Sequence, residues 1–209
     1  MENKINSLAH DLANLNTYGY KRQELGFQEL LTNEIHDNDV LKSDNLGHAR
    51  LNLGVKSVPA TINFNQGALL RSESPFNMAI EGRGFFGLYN EEGNLILTRN
   101  GGFQINEDNS ISDDQGNLLS MDIYIAQEEW ESGNISINRN GEIYQGVEGE
   151  GLLLARVILY EPEVLDSLTP LGETNFLAPA NLGLYNSLEN PERFGTIQQN
   201  YLEGSNVHM

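Results

Sequence analysis

The stretch FNMAIEGRGFFGLYNEEGNLIL, residues 76–97, decides how the chain is read. Phe76, Met78 and Ile80 alternate with Asn77 and Glu81 around the small Ala79, the period of two expected of a half-buried strand. Gly82 to Gly87 then spells G-x-G-x-x-G. In a dinucleotide-binding loop that spacing follows a strand and opens a helix, because the helix N-terminus supplies the amides that hold the pyrophosphate. Here LYNEEGNLIL follows, which reads strand, turn, strand. The glycines are therefore assigned to a tight bend with Phe85 and Phe86 buried beside it, and the segment to antiparallel β structure.

The same period continues outward. Ala60, Ile62 and Phe64 alternate with Thr61, Asn63 and Asn65, and Leu119, Met121, Ile123 and Ile125 alternate with Ser120, Asp122 and Tyr124. Turn residues punctuate the region at Glu92-Gly93, Asn100-Gly101, Gln115-Gly116-Asn117 and Asn140-Gly141, the Asn-Gly pairs being strong hairpin signals. The apolar run LLLARVILY, residues 152–160, predicts a strand covered on both faces at the centre of the core. Pro162, Pro170, Pro179 and Pro191 keep later elements short. Residues 55–194 are thus expected to form one mainly β domain, an antiparallel sandwich or rolled sheet.

The ends read differently. Ile5, Leu8, Leu12 and Leu15 recur at spacings of three and four, the narrow seam of a short helix. A helix of this length is marginal alone, so the seam packs either on its own domain or on a partner. Thr17-Tyr18-Gly19-Tyr20 breaks it, a second short helix is predicted over Lys21 to Leu31, and residues 32–54 form a polar connector without period. Residues 195–209 are expected to begin a C-terminal helix carrying Tyr201, Leu202 and Val207. The chain therefore divides into an N-terminal helical segment at 1–31, the connector at 32–54, the β domain at 55–194 and a C-terminal segment at 195–209.

Composition narrows the partners. Twelve Lys and Arg against 30 Asp and Glu give a formal charge of -18, so nucleic acid and anionic membrane would be repelled. There is no cysteine, hence no disulfide or thiolate zinc site. No apolar run has the length of a membrane span or the form of a signal peptide. The acidic stretch NEDNSISDDQGN, residues 106–117, lacks the Gly and Glu offsets of a helix-loop-helix calcium site and reads as a hairpin connection. In EEWESG, residues 128–133, nothing fixes the separation of a catalytic carboxylate pair. GVEGEG, residues 146–151, would repel a phosphate. His10, His36, His48 and His208 show no metal-ligand spacing. No catalytic residue, cofactor or metal is expected. A carbohydrate- or partner-binding β-sandwich with flexible ends is the alternative class of function.

Four blocks, in order along the chain, carry a resemblance. LANLNTYGYK at residues 12–21, SPFNMAIEGRGFF at 74–86, TRNGGF at 98–103 and GTIQQNYLEGSNV at 195–207 resemble the signatures of the flagellar rod and hook family of bacterial axial proteins. Asn77 stands where an Asp is usual, Ser74 where an Asn is usual, and Asn200 where a Gly is common. The resemblance covers most of the chain and is weakest at 32–54 and about 160–194. It implies a rod-type structural subunit, exported through the flagellar apparatus without a cleaved signal and assembling helically with copies of itself and other axial proteins. It also implies terminal helices that pair in the inner layer of a hollow tube and are longer at both ends than in this chain. On that reading Ile5, Leu8, Leu12 and Leu15 face Tyr201, Leu202 and Val207.

Overall fold

The structure is a computed structural model. It describes residues 2–24, 27–29, 33–34, 50–51, 55–57, 61–131, 133–146, 151–172, 174–177 and 183–207. His36, His48, His208, Ala60, Pro179 and most of GVEGEG lie outside these residues.

Phe85–Tyr89 is the hub. It pairs antiparallel with Leu95–Thr98 on one side, and with Leu118–Leu119 and Leu159–Pro162 on the other. Its side chains serve two cores. Phe86 and Leu88 belong to the main cluster with Met78, Ile80, Ile143 and Val157, whereas Phe85 packs with Leu97, Leu168 and Phe176 in a second one. Three edge-to-face contacts join Phe85, Phe64 and Phe176, with centroids 5.4 to 6.1 Å apart. The strand covered on both faces is therefore 85–89 and not the predicted 152–160. Gly82 and Gly84 form the expected bend in front of it.

Residues 152–160 are instead split between two sheets. Leu152–Val157 lies inside a four-stranded antiparallel sheet with Met121–Ile123, Ile135–Ile137 and Glu142–Gln145, while Leu159–Pro162 joins the larger sheet. Leu152, at the outer end, is 57% exposed. The predicted strand 119–125 divides in the same way, with Leu118–Leu119 in one sheet and Met121–Ile123 in the other. Both crossings are pinned at one level. The Ser120 amide donates to the Gly87 carbonyl at 2.8 Å, and the Ile158 amide donates to the Ser120 carbonyl at 3.0 Å.

Four hairpin connections share one local design. In each, the amide of the fourth residue donates to the carbonyl of the first, and that first residue pairs with the fifth: 90–94, 106–110, 113–117 and 138–142. The fourth position needs positive φ and is filled by Gly93, Gly116 and Gly141, and by Asn109 at φ 62. In three of them the opening Asn90, Asp113 or Asn138 also accepts two turn amides through its side chain. The acidic stretch 106–117 is thus two consecutive turns in which Asp108 and Asp113 accept backbone amides, as its reading as a hairpin connection requires.

At the ends, Glu2–Ala13 is helical as expected. The described residues of the predicted second helix are strand instead: Gln23–Glu24 pairs with Thr61–Ile62, and Phe27–Glu29 with Val55–Ser57. The pairing continues in register to Asn33–Glu34 with Arg50–Leu51, so the described flanks of the predicted connector form a two-stranded ribbon. The predicted C-terminal helix is also strand. Thr196–Gln199 pairs with Met78–Glu81, and Tyr201–Glu203 with Leu69–Arg71. These partners lie more than a hundred residues away in sequence. Their main-chain hydrogen bonds and buried cross-strand neighbours decide the conformation of a segment whose three apolar residues, at 201, 202 and 207, lack the three-and-four spacing of a helix face.

Candidate functional site

The two chain ends meet over one fully buried carboxylate. Strand 201–203 sets Glu203 opposite Leu69 and turns its side chain inward. Glu203 Oε1 accepts from Lys21 Nζ at 2.5 Å and from the Gly67 amide at 2.9 Å, and Oε2 accepts from Arg99 Nη1 at 3.2 Å. The Glu203 carbonyl accepts from the Gly19 amide at 2.7 Å. Three separate segments close on a single residue.

Each cation is anchored a second time. Lys21 Nζ donates to the Asn65 carbonyl at 2.9 Å. Arg99 Nη2 donates to the Gly82 carbonyl at 2.7 Å, and its guanidinium carbon lies 5.4 Å from the centroid of the Phe85 ring. Burial pushes both cations below their ordinary pKa, and Glu203 pulls each back toward the charged form. Arg99 Nε is buried without a hydrogen-bond partner among the described residues. Asn206 completes the closure. Its Nδ2 donates to the carbonyls of Asn63 at 2.7 Å and Asn65 at 2.9 Å, and its Oδ1 accepts from the Arg22 amide at 2.8 Å.

The helix is tied to the same closure by its polar edge. Tyr20 Oη donates to Asp11 Oδ1 at 3.0 Å, and Asn14 Oδ1 accepts from Thr17 Oγ1 at 3.0 Å; Asp11 and Asn14 are both buried. Its apolar residues face the other way. Leu8 is 67% and Leu12 62% exposed. That inverts the usual arrangement, in which a surface helix turns its apolar stripe to its own core.

The residues singled out from sequence separate accordingly. Ile5, Leu8 and Leu12 lie on the helix, and Leu15 is half-buried in the turn that follows it. Tyr201 and Val207 are half-buried, and Leu202, at 6% exposure, is already packed in its own domain. Leu202 therefore has no free face to offer a helix. Lys21, Arg99, Glu203 and Asn206 were missed. They carry no hydrophobic period, and only their place inside the four family-like blocks marks them. Those blocks are the segments that touch here: 12–21 supplies Lys21, 74–86 the Ile80 and Gly82 carbonyls, 98–103 Arg99 and 195–207 Glu203.

Chemically, such a cluster fixes geometry. It immobilises three charges away from water and offers them no substrate. Among the described residues no group of three or more His, Asp or Glu is placed to hold a metal ion, and no helix is long and apolar enough to cross a membrane.

Residues 79–145 match the family model of the flagellar hook protein FlgE/F/G D1 domain. Over 98% of its length the chain is 28% identical to the flagellar basal-body rod protein FlgG of Buchnera aphidicola subsp. Acyrthosiphon pisum, covering 80% of that protein. It is 27% identical to FlgG of Agrobacterium fabrum across 99% of the chain and 80% of the relative. It is 26% identical to the flagellar basal-body rod protein FlgF of Rhizobium meliloti across 100% of the chain and 78% of the relative. A mainly β domain matched in this way over its whole length has the similarities of a structural protein of the flagellar axis, and they support that role. The chain is thus similar over nearly its whole length to flagellar basal-body rod proteins, and over residues 79–145 to the FlgE/F/G D1 domain.

Proposed function

We propose that this chain is a rod subunit that reaches the basal body through the flagellar export apparatus without a cleaved signal. There it assembles helically with copies of itself and with other axial proteins through the exposed edge of its N-terminal helix. The observation that carries the reading is the exposure of Leu8 and Leu12 on a helix whose polar edge is already fixed by Asp11 and Asn14. Fully burying each of those leucines against a neighbour contributes about 1.5–3 kcal/mol. The rigid attachment through Tyr20 presents the edge in one orientation, which lowers the entropy lost on docking. By sequence spacing alone Ile5 and Leu15 belong to the same seam. Of the C-terminal residues, Tyr201 and Val207 remain candidates for its rim, while Leu202 does not.

The test is Leu12→Asp, introduced into the gene in its own cells. At a site this exposed the change should leave the isolated domain within about ±0.5 kcal/mol of the parent in urea unfolding. Swimming and the recovery of rods from the envelope should be lost. Variant cells that still build rods and swim would show that the helical edge is not the joint.

A further inference from the structure

Cations are scarce on this chain, yet the fold gathers four of its 12 Lys and Arg around the segment 191–197. The Gly195 amide donates to the Arg83 carbonyl at 2.8 Å, and the Ile197 amide donates to the Arg139 carbonyl at 2.9 Å. Arg83 and Arg193 share the buried Glu161, with Nη2 of the first 2.7 Å and Nε of the second 3.4 Å from its carboxylate. Arg139 and Arg156 have no such partner. With Asn140, Ser187, Phe194 and Thr196 they line a cavity of about 120 Å³.

Among the described residues neither Arg139 nor Arg156 has a carboxylate within ion-pair distance. Arg156 Nε donates to the Asn140 carbonyl at 3.3 Å. Asp122 and Glu142 are its cross-strand neighbours. Glu142 Oε2 is taken by Asn138 Nδ2 at 2.7 Å and Tyr144 Oη at 2.9 Å, and the charge of Asp122 acts on the neighbouring Tyr124 hydroxyl, whose pKa is raised chiefly by burial. Two guanidinium groups thus border a hollow in which, among the described residues, no carboxylate comes within ion-pair distance of either.

We propose that the Arg139–Arg156 cavity receives a carboxylate from an acidic turn of a second copy of this chain. The inference rests on the self-assembly reading above and names one of its contacts. Charge argues for the occupant. A chain of net charge -18 repels its copies over most of its surface, and this is where its cations are concentrated. Screening confines the long-range repulsion to about 8 Å at physiological salt, which leaves close Arg–carboxylate pairs to act. The cavity has room for a side chain, not for an element. Hairpin tips such as Glu91-Glu92 and Glu107-Asp108 present exposed carboxylates of that size. Donor turn and acceptor cavity are different surfaces of one chain, so the contact is head-to-tail and propagates.

Arg139→Lys keeps the charge and supplies an amine that a zero-length carbodiimide joins to any carboxylate in direct contact. Isotopically light and heavy copies of the full chain carrying this substitution are mixed at high concentration and physiological salt, crosslinked and read by mass spectrometry. Mixed-label peptides joining position 139 to an acidic turn are expected. They should be lost at about 1 M salt, where the screening length is about 3 Å, and reduced by adding Arg156→Gln. Links from position 139 that stay within one copy, to Asp122 or Glu142, would overturn the proposal, as would none. If mixed-label links form elsewhere but not at 139, the cavity is rejected and self-assembly stands. If no mixed-label link forms anywhere, both are rejected.

Discussion

Replacing Glu203 by Gln should lower the free energy of unfolding by about 3–5 kcal/mol, because it leaves two buried cations facing a neutral amide. For a chain of this size each kcal/mol moves the melting point by about 2–4 °C, so a fall of roughly 6–20 °C is expected in circular dichroism melts. The shape of the side chain is kept, which assigns the loss to charge and not to a cavity. Adding Lys21→Met to Glu203→Gln should then cost less than Lys21→Met does in the parent, since the cation it removes has already lost its partner. A coupling of about 0.5–3 kcal/mol is the range for residues in one such network. Should Glu203→Gln melt within a degree or two of the parent, water would be solvating Lys21 and Arg99 and the closed site would not exist.

The size of that effect follows from topology as much as from Coulomb's law. Glu203 binds residues at positions 19, 21, 67 and 99, and the strand that carries it is hydrogen-bonded to 69–71. Weakening it loosens the seat of the N-terminal helix, because Gly19 and Lys21 flank Tyr20, whose hydroxyl holds Asp11. The stability of the β domain and the aim of the exposed Leu8 and Leu12 edge are therefore linked. A helix left free to swing would present the same side chains without a fixed direction.

Local chemistry was legible in the sequence and distant pairing was not. The turns at Glu92-Gly93, Gln115-Gly116-Asn117 and Asn140-Gly141 were read correctly, since a positive φ beside an Asn or Asp acceptor is a property of five adjacent residues. Mainly antiparallel β structure followed from those turns and from the alternation around Met78 and Ile80. The run 152–160 was read as one central strand because its apolar pattern is unbroken, while the break at Ile158 is imposed by the Ser120 carbonyl from another segment. Tyr201, Leu202 and Val207 suggest the start of a helix only as the last apolar positions of the chain, and pairing with the strands that carry Leu70 and Ile80 makes the segment β. The buried site was hidden for a related reason. Glu203, Arg99 and Lys21 look like solvated surface charges in sequence, as such residues are in most positions, and only the assembled fold shows that they meet.

Asn100-Gly101 was read as a hairpin turn, and the structure gives that glycine a different task that mutation can expose. Gly101 lies against the strand 78–81, its carbonyl accepting the Met78 amide at 3.0 Å, and a β-carbon there would overlap the Met78 carbonyl oxygen with the Phe86 ring 3.3 Å away. Both neighbours are fully buried, so neither gives way cheaply. Gly101→Ala should therefore destabilise by at least the upper end of the roughly 1–3 kcal/mol typical of overpacking, and should break the Met78 hydrogen bond. Gly116→Ala is the matched control. Gly116 has φ 87 and open space around its β position, so only the left-handed backbone is penalised, by about 1–2 kcal/mol. Urea unfolding of the two variants, with hydrogen exchange at the Met78 amide, separates the cases. Equal losses, or a Met78 amide still protected in Gly101→Ala, would mean that segment 98–103 is not pressed against the strand and that Arg99 reaches Glu203 by some other route.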